Sequence, residues 1–259
     1  MNSTLLLTKW YLDCVTEDGD AVILYAAELQ WRQLRVCFNS VLQKSGEVVT
    51  TRSTLRDFPL PSNSGGRIAI EVPPLGISGT WEADSAPVSR TVFECAEGSV
   101  HWDCVQPRSR AQLCVGGQSL VGRGYAECLT LTVPPWQLPI RQLRWGRFIS
   151  AQDSLTWVDW QGPFANSFAY HNGTAYSPEL VSDSGLVLPG ISLDLSDSFQ
   201  LRGGKLRKTI LPDVPALAKL LPNILFGIEE YKWLSRGHCH TSGQSSSGWA
   251  IHEVVHWNW

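Results

Sequence analysis

The chain has 259 residues, with 21 Lys and Arg against 24 Asp and Glu, a formal charge of −3. So small an imbalance excludes a nucleic-acid binder that works by neutralising phosphates. Charged residues make up 17%, against ~25% in ordinary soluble domains. Ser, Gly, Pro and Thr take their place, which suits turns between strands and not a coiled coil.

From the N-terminus, Met1–Trp10 carries no basic segment and only a three-Leu apolar run, so no secretory signal is expected. Tyr11–Val15, Ala21–Ala27, Arg90–Ala96, Leu113–Val115, Tyr125–Val133 and Leu155–Trp160 are rich in β-branched and aromatic residues and read as strands. Asp18-Gly19, Gly116-Gly117, Asn172-Gly173 and Gly203-Gly204 punctuate them with the positive φ that tight hairpins need. Ala26–Phe38 has enough Leu, Gln and Arg for a helix, but its flanks favour strand. No run reaches the ~20 apolar residues of a membrane span, and Glu28 interrupts Val22–Trp31. Pro134–Pro139 is a stiff Pro-rich stretch near mid-chain, so modules are expected at 1–140 and 141–259. Asp213 as cap, Pro215 in the first turn and Pro222 as terminator predict one short helix over Ala216–Leu221. The expected class is mainly β, two tandem antiparallel barrels or sandwiches with that one helix.

The seven cysteines are odd in number and lack Cys-x2-Cys spacing, so buried thiols in a reducing, cytoplasmic setting are expected. An internal repeat is faint. Gly124-Tyr125-Ala126 recurs as Gly248-Trp249-Ala250, an offset of 124, and Trp10, Asp18 and Tyr25 align on Trp145, Asp153 and Trp160 at an offset of 135.

Lys9-Trp10-Tyr11-Leu12-Asp13 with its Glu-Asp-Gly-Asp turn, Gly122-Arg123-Gly124-Tyr125 and Trp157-Val158-Asp159-Trp160 resemble motifs of the hydroxyneurosporene synthase superfamily. That resemblance implies tandem lipocalin-like barrels and the chemistry of carotenoid hydratases and related cyclases. Activity would then fall on a long isoprenoid or polyene without a cofactor. Where members often carry an Asp-His strand motif after the Gly-Tyr, this chain has Ala126-Glu127. The implied partner is a hydrophobic small molecule. Peripheral membrane contact is left open as its route of access.

Strand period places Arg123, Tyr125 and Glu127 on one face, Trp157 with Asp159 on another, and Trp145 with Arg147 on a third. Glu127 and Asp159 are the candidate catalytic acids. A carboxylic acid in an apolar site can protonate an alkene, and aromatic faces stabilise the resulting cation. Tyr125, Trp145, Trp157, Trp160, Arg144 and Arg147 are the candidate ligand-binding residues. Tyr125, Glu127, Trp157 and Asp159 are expected to line one cavity, with Arg144 or Arg147 near a carboxyl. The competing reading makes Glu127 and Asp159 partners of Arg123, Arg144 or Arg147 in buried ion pairs. A non-catalytic lipid or pigment carrier competes at the level of function.

His252-Glu253-Val254-Val255-His256 matches the zinc-protease pattern, which requires a helix. In a strand the two imidazoles stand about 13 Å apart, too far for one ion. His238 and His240 could join His252 or His256 around a metal, but hydrogen-bonded histidines beside a Ser- and Gly-rich turn are the preferred reading. No metal is expected. Gly-rich phosphate loops and the Gly-x-Ser-x-Gly elbow are absent from the sequence.

Overall fold

The computed structural model describes residues 5–206 and 227–257. The helix expected over Ala216–Leu221 lies outside the described residues. The chain divides into two compact units, Met1–Leu138 and Pro139–Trp259.

In the first unit the strands are β1 (Leu5–Val15), β2 (Ala21–Trp31), β3 (Leu34–Ser45), β4 (Val48–Thr54), β5 (Ser62–Ser64), β6 (Arg67–Val72), β7 (Ile77–Ala83), β8 (Val88–Cys95), β9 (Gly98–Val115) and β10 (Gln118–Leu131). The second holds β11 (Gln142–Ser150), β12 (Ser154–Gln161), β13 (Asn166–His171), β14 (Thr174–Tyr176), β15 (Leu180–Ser182), β16 (Gly185–Leu188), β17 (Ile191–Lys205), β18 (Glu229–Thr241) and β19 (Gln244–His256). Every described pairing is antiparallel. The sheet order is β4-β3-β2-β1-β10-β9-β7-β6-β5 in the first unit, with β8 on β9, and β14-β13-β12-β11-β19-β18-β17-β16-β15 in the second. Both are up-and-down meanders whose first and last strands pair, with the sheet edges at two strands consecutive in the chain. The mainly β, tandem lipocalin-like architecture follows.

Turn chemistry explains the meander. Gly116-Gly117 takes φ of 57° and 85°, and Asn172-Gly173 takes 48° and 83°. Two successive positive φ values match the right-handed twist of the strands they join. Gly203-Gly204 is a correction: both lie inside β17, opposite Tyr231 and Glu230, and close no hairpin. There the missing side chain matters for space, since a Cβ on Gly203 would stand 2.3 Å from Gln200 Nε2 and 3.1 Å from the Tyr231 ring. Ala26–Phe38 is strand apart from its Arg32-Gln33 turn.

Each sheet curls around its own core. In the first unit Leu12, Leu24, Val41, Ile68, Trp81 and Leu113 form one cluster, joining β3 to β6 from opposite arms of the sheet. In the second, Phe148, Leu155, Trp157, Ala169, Leu188 and Leu193 do the same. Each fully buried aliphatic side chain contributes about 1.5–3 kcal/mol. Trp81 has no exposed surface, and its indole donates to the Asp13 carbonyl at 2.7 Å. Among the described residues, which include all seven cysteines, there is no disulfide, and five of the seven are buried.

The two sequence offsets fare differently. Leu12 and Cys14 face the first core and Phe148 faces the second, so even-numbered residues of β1 and β11 point inward. An offset of 135 is odd and sends the inward Trp10 onto Trp145, which belongs to the other face, so those two are not equivalent positions. The offset of 124 keeps the faces, because Ala126 and Ala250 each join their unit's core.

Candidate active site

On the core-bearing face of the second unit, register sorts side chains into rows, because directly paired residues share a face. One row runs Asp159, Arg144, Val254, Tyr231 across β12, β11, β19 and β18. The next runs Trp157, Gly146, His252, Trp233, and the third Leu155, Phe148, Ala250, Ser235. The third row is apolar apart from Ser235. The first two mix titratable groups with aromatic rings.

Gly146 is what lets the second row form. A Cβ there would lie 2.2 Å from Trp157 Cζ2, so the indole lies across the backbone of β11. From the other side Trp233 stacks on His252, with centroids 5.3 Å apart and planes 24° from parallel. Tyr231 continues the stack at 6.2 Å from Trp233. Tyr231 and Trp233 retain accessible surface.

The polar groups are held in specific ways. His252 Nε2 lies 2.8 Å from the Ser235 hydroxyl, itself 2.8 Å from the Ser198 hydroxyl. Burial lowers the His252 pKa to about 4; Asp183 opposes the shift and Lys232 adds to it. The ring is therefore neutral at pH 7. Arg144 reaches the β15–β16 turn, where its Nε and Nη2 each lie 3.2 Å from Asp183 Oδ1. Asp159 stands directly opposite Arg144 in register, yet its carboxylate accepts from the Gln161 amide at 2.6 Å. Among the described residues no cation lies within ion-pair distance of Asp159.

The other predicted residues are distributed elsewhere. Trp145, Arg147 and Trp160 occupy the opposite face of the same strands, since they pair in register with Val158, Thr156 and Leu143. Arg147 is buried and donates to the Trp249 carbonyl at 2.8 Å. The Trp160 indole donates to the Pro139 carbonyl at 3.3 Å. The Lys232 ammonium lies 5.4 Å from the Trp145 ring centre and pairs with Glu253. Only Arg144 of this group shares the face of Trp157 and Asp159.

Tyr125 and Glu127 belong to β10 of the first unit, on the face away from its core, so the four residues expected in one cavity divide between the units. Glu127 Oε2 accepts from the Tyr125 hydroxyl at 2.7 Å and the Trp102 indole at 2.6 Å. Burial first, then Cys104 and Glu127, push the Tyr125 phenol well above its ordinary range, which keeps the donated proton in place. Tyr11 meets Tyr25 and Tyr125 edge to face at 5.4 and 6.0 Å. These contacts make Glu127 the fixed end of a phenol–indole network. A groove of about 490 Å³ opens on β6, β7 and β9, with Ile70, Gly79 and Leu113 on its walls, but Glu71 is its single carboxyl.

The His-Glu-x-x-His run lies in β19, as its strand-forming neighbours predict. His238 and His240 project from the face opposite His252; they contact Ser247 at 3.0 Å and Asp194 at 3.7 Å respectively. Those histidines therefore build no common site. Tyr231, Trp233, Ser235, Asp183 and His252 were not among the predicted site residues. The alternation Tyr231-x-Trp233-x-Ser235 is the sequence signal that marks three of them.

No protein-family model and no curated relative matches the chain. Among solved structures, kievitone hydratase from Nectria haematococca aligns over 98% of this chain and 89% of its own, with TM-score 0.57 and 12% identity. CghA aligns over 98% and 88%, with TM-score 0.58 and 11% identity, and in its complex with Sch210972 the TM-score is 0.54. At such identities the likeness carries the fold, and this chain shares the tandem lipocalin-like β architecture of both.

Proposed function

We propose that the protein is a cofactor-independent enzyme of the hydratase or cyclase kind. It protonates a carbon–carbon double bond of an apolar isoprenoid or polyene on the core-bearing face of the second unit. The observation that carries this reading is the row geometry: a carboxyl without a paired cation, Asp159, on the same sheet face as Trp157 and the Trp233–Tyr231 stack. An apolar chain seated there excludes water, the condition under which a carboxylic acid transfers its proton to carbon rather than to solvent. The indole and phenol faces then meet the carbocation with their negative quadrupoles. Water attacking that cation yields a protonated alcohol, a very strong acid. Even the weakly basic, neutral His252 can accept its proton, with Ser235 and Ser198 as the hydroxyl chain beside it. Cyclisation ends the same way, with the proton lost from carbon. Arg144 and Asp183 border the site and orient polar substituents. Kievitone hydratase and CghA having this fold supports the class, not the substrate.

The molecule that co-purifies with the native protein, identified by mass spectrometry, supplies the substrate for the test. Asp159→Asn is expected to lower turnover by about 10²–10⁴-fold with binding retained, and Glu127→Gln to leave the chemical step largely intact. Full activity in both variants, or a bound molecule that never changes, favours the carrier instead.

A further inference from the structure

At the far end of the same face, beyond the third row, Asp153, His171 and Cys239 converge. Asp153 sits in the β11–β12 turn, His171 closes β13 and Cys239 lies within β18. One carboxylate oxygen, one imidazole nitrogen and the sulfur all lie within 4.8 Å of one another. We propose that these three side chains form a binding site for a thiophilic divalent cation, zinc in the first instance, with solvent as fourth ligand.

The donor set fits that ion. Zinc accepts N, O and S ligands tetrahedrally, and a thiolate discriminates against magnesium and calcium. His171 Nε2 and Asp153 Oδ1 are 2.8 Å apart, joined by a hydrogen bond in the metal-free arrangement. Around an ion with bonds of about 2.0–2.3 Å the two donors need to separate by only about half an ångström. The thiol proton leaves to solvent as the Zn–S bond forms, and His171 binds through Nε2 as the neutral tautomer that carries its proton on Nδ1, giving up the hydrogen bond to Asp153. Cys239 is 1% exposed and packs with Phe148, Leu155 and Ala250, so its position is set by the core.

Outer contacts steady the two half-buried ligands, Asp153 and His171. Ser246 donates to Asp153 Oδ2, and the Asn172 amide lies 3.1 Å from Asp153 Oδ1. Asn172 Oδ1 in turn accepts from the Ser154 amide at 2.9 Å, which fixes its orientation. Such supporting bonds are characteristic of metal sites. They also hold two hairpin turns together, and that purely structural role is what the experiment must separate.

The protein, freed of metal by chelator, is titrated with Zn²⁺ and with Co²⁺. One equivalent of Co²⁺ is expected to give tetrahedral d–d bands and a sulfur-to-cobalt charge-transfer band. Cys239→Ser abolishes the charge-transfer band. His171→Ala and Asp153→Asn weaken Zn²⁺ binding about a hundredfold or more, and Ser246→Ala about tenfold. Because a ligand variant can fail to fold, X-ray absorption on the zinc-loaded native protein is the second measurement. One sulfur at about 2.3 Å with N/O neighbours at about 2.0 Å supports the site. No stoichiometric binding, or a shell of oxygen and nitrogen alone, overturns it.

Discussion

Acidification from pH 7 to 4.5 is expected to destabilise the second unit through His252. Its folded pKa of about 4 lies below the ordinary 6.5, because burial disfavours the imidazolium. The unfolded chain thus binds the proton first, and stability falls as pH drops through this window. It is fully restored above the unfolded value. With these two pKa values the penalty is about 0.2 kcal/mol at pH 7 and about 2.5 kcal/mol at pH 4.5, approaching about 3.4 kcal/mol at lower pH. Other groups titrate over the same range, so the measurement is a difference. Urea unfolding followed by circular dichroism at several pH values is compared for the wild type and His252→Gln. The variant costs stability at pH 7, where the Ser235 bond and the Trp233 stack are disturbed, but its deficit should shrink by about 2.3 kcal/mol at pH 4.5. A deficit that stays constant between these pH values would show that the ring is not held neutral, and the base assigned to the site would be lost.

Gly146→Ala should cost about 1–3 kcal/mol, since the new methyl meets the Trp157 ring at 2.2 Å, and the cost should diminish in a Trp157→Leu background. Thermal unfolding of the four proteins in that cycle reads the coupling directly. Tyr125→Phe removes a hydrogen bond to the Glu127 carboxyl and should lower the urea stability of the first unit by about 1.5–3 kcal/mol. Arg144→Gln breaks a surface-exposed pair with Asp183, so unfolding should shift by no more than about 1 kcal/mol while turnover of the identified substrate falls.

Strand content and hairpin chemistry were legible in the sequence because they are local properties. Asn172-Gly173 and Gly116-Gly117 need positive φ wherever they stand, and the structure provides it. Gly203-Gly204 has the same composition, but its glycines make room beside Tyr231, a tertiary demand that no dipeptide advertises. Within one strand the two-residue period also held: Trp157 and Asp159 do share a face. Between strands it failed, because facing is decided by register and register by turn length. That is why Trp145 and Arg147, one residue either side of Gly146, point away from the row that Gly146 completes. The literal His-Glu-x-x-His pattern pointed at His252 for the wrong chemistry, since a strand separates its histidines while bringing Ser235 to one of them. Asp153, His171 and Cys239 come together from three separate elements, and nothing in their spacing announces it.

The central claim is a proton delivered to carbon, and the most direct measurement is turnover of the co-purifying molecule in D₂O, with the product examined by mass spectrometry and NMR. Hydration, cyclisation and isomerisation by this route all place one deuterium at a single carbon of the product, and Asp159→Asn should suppress that incorporation together with turnover. Recovery of the ligand unreacted and without deuterium from the wild-type protein would contradict the claim and leave the aromatic face as a carrier's binding surface.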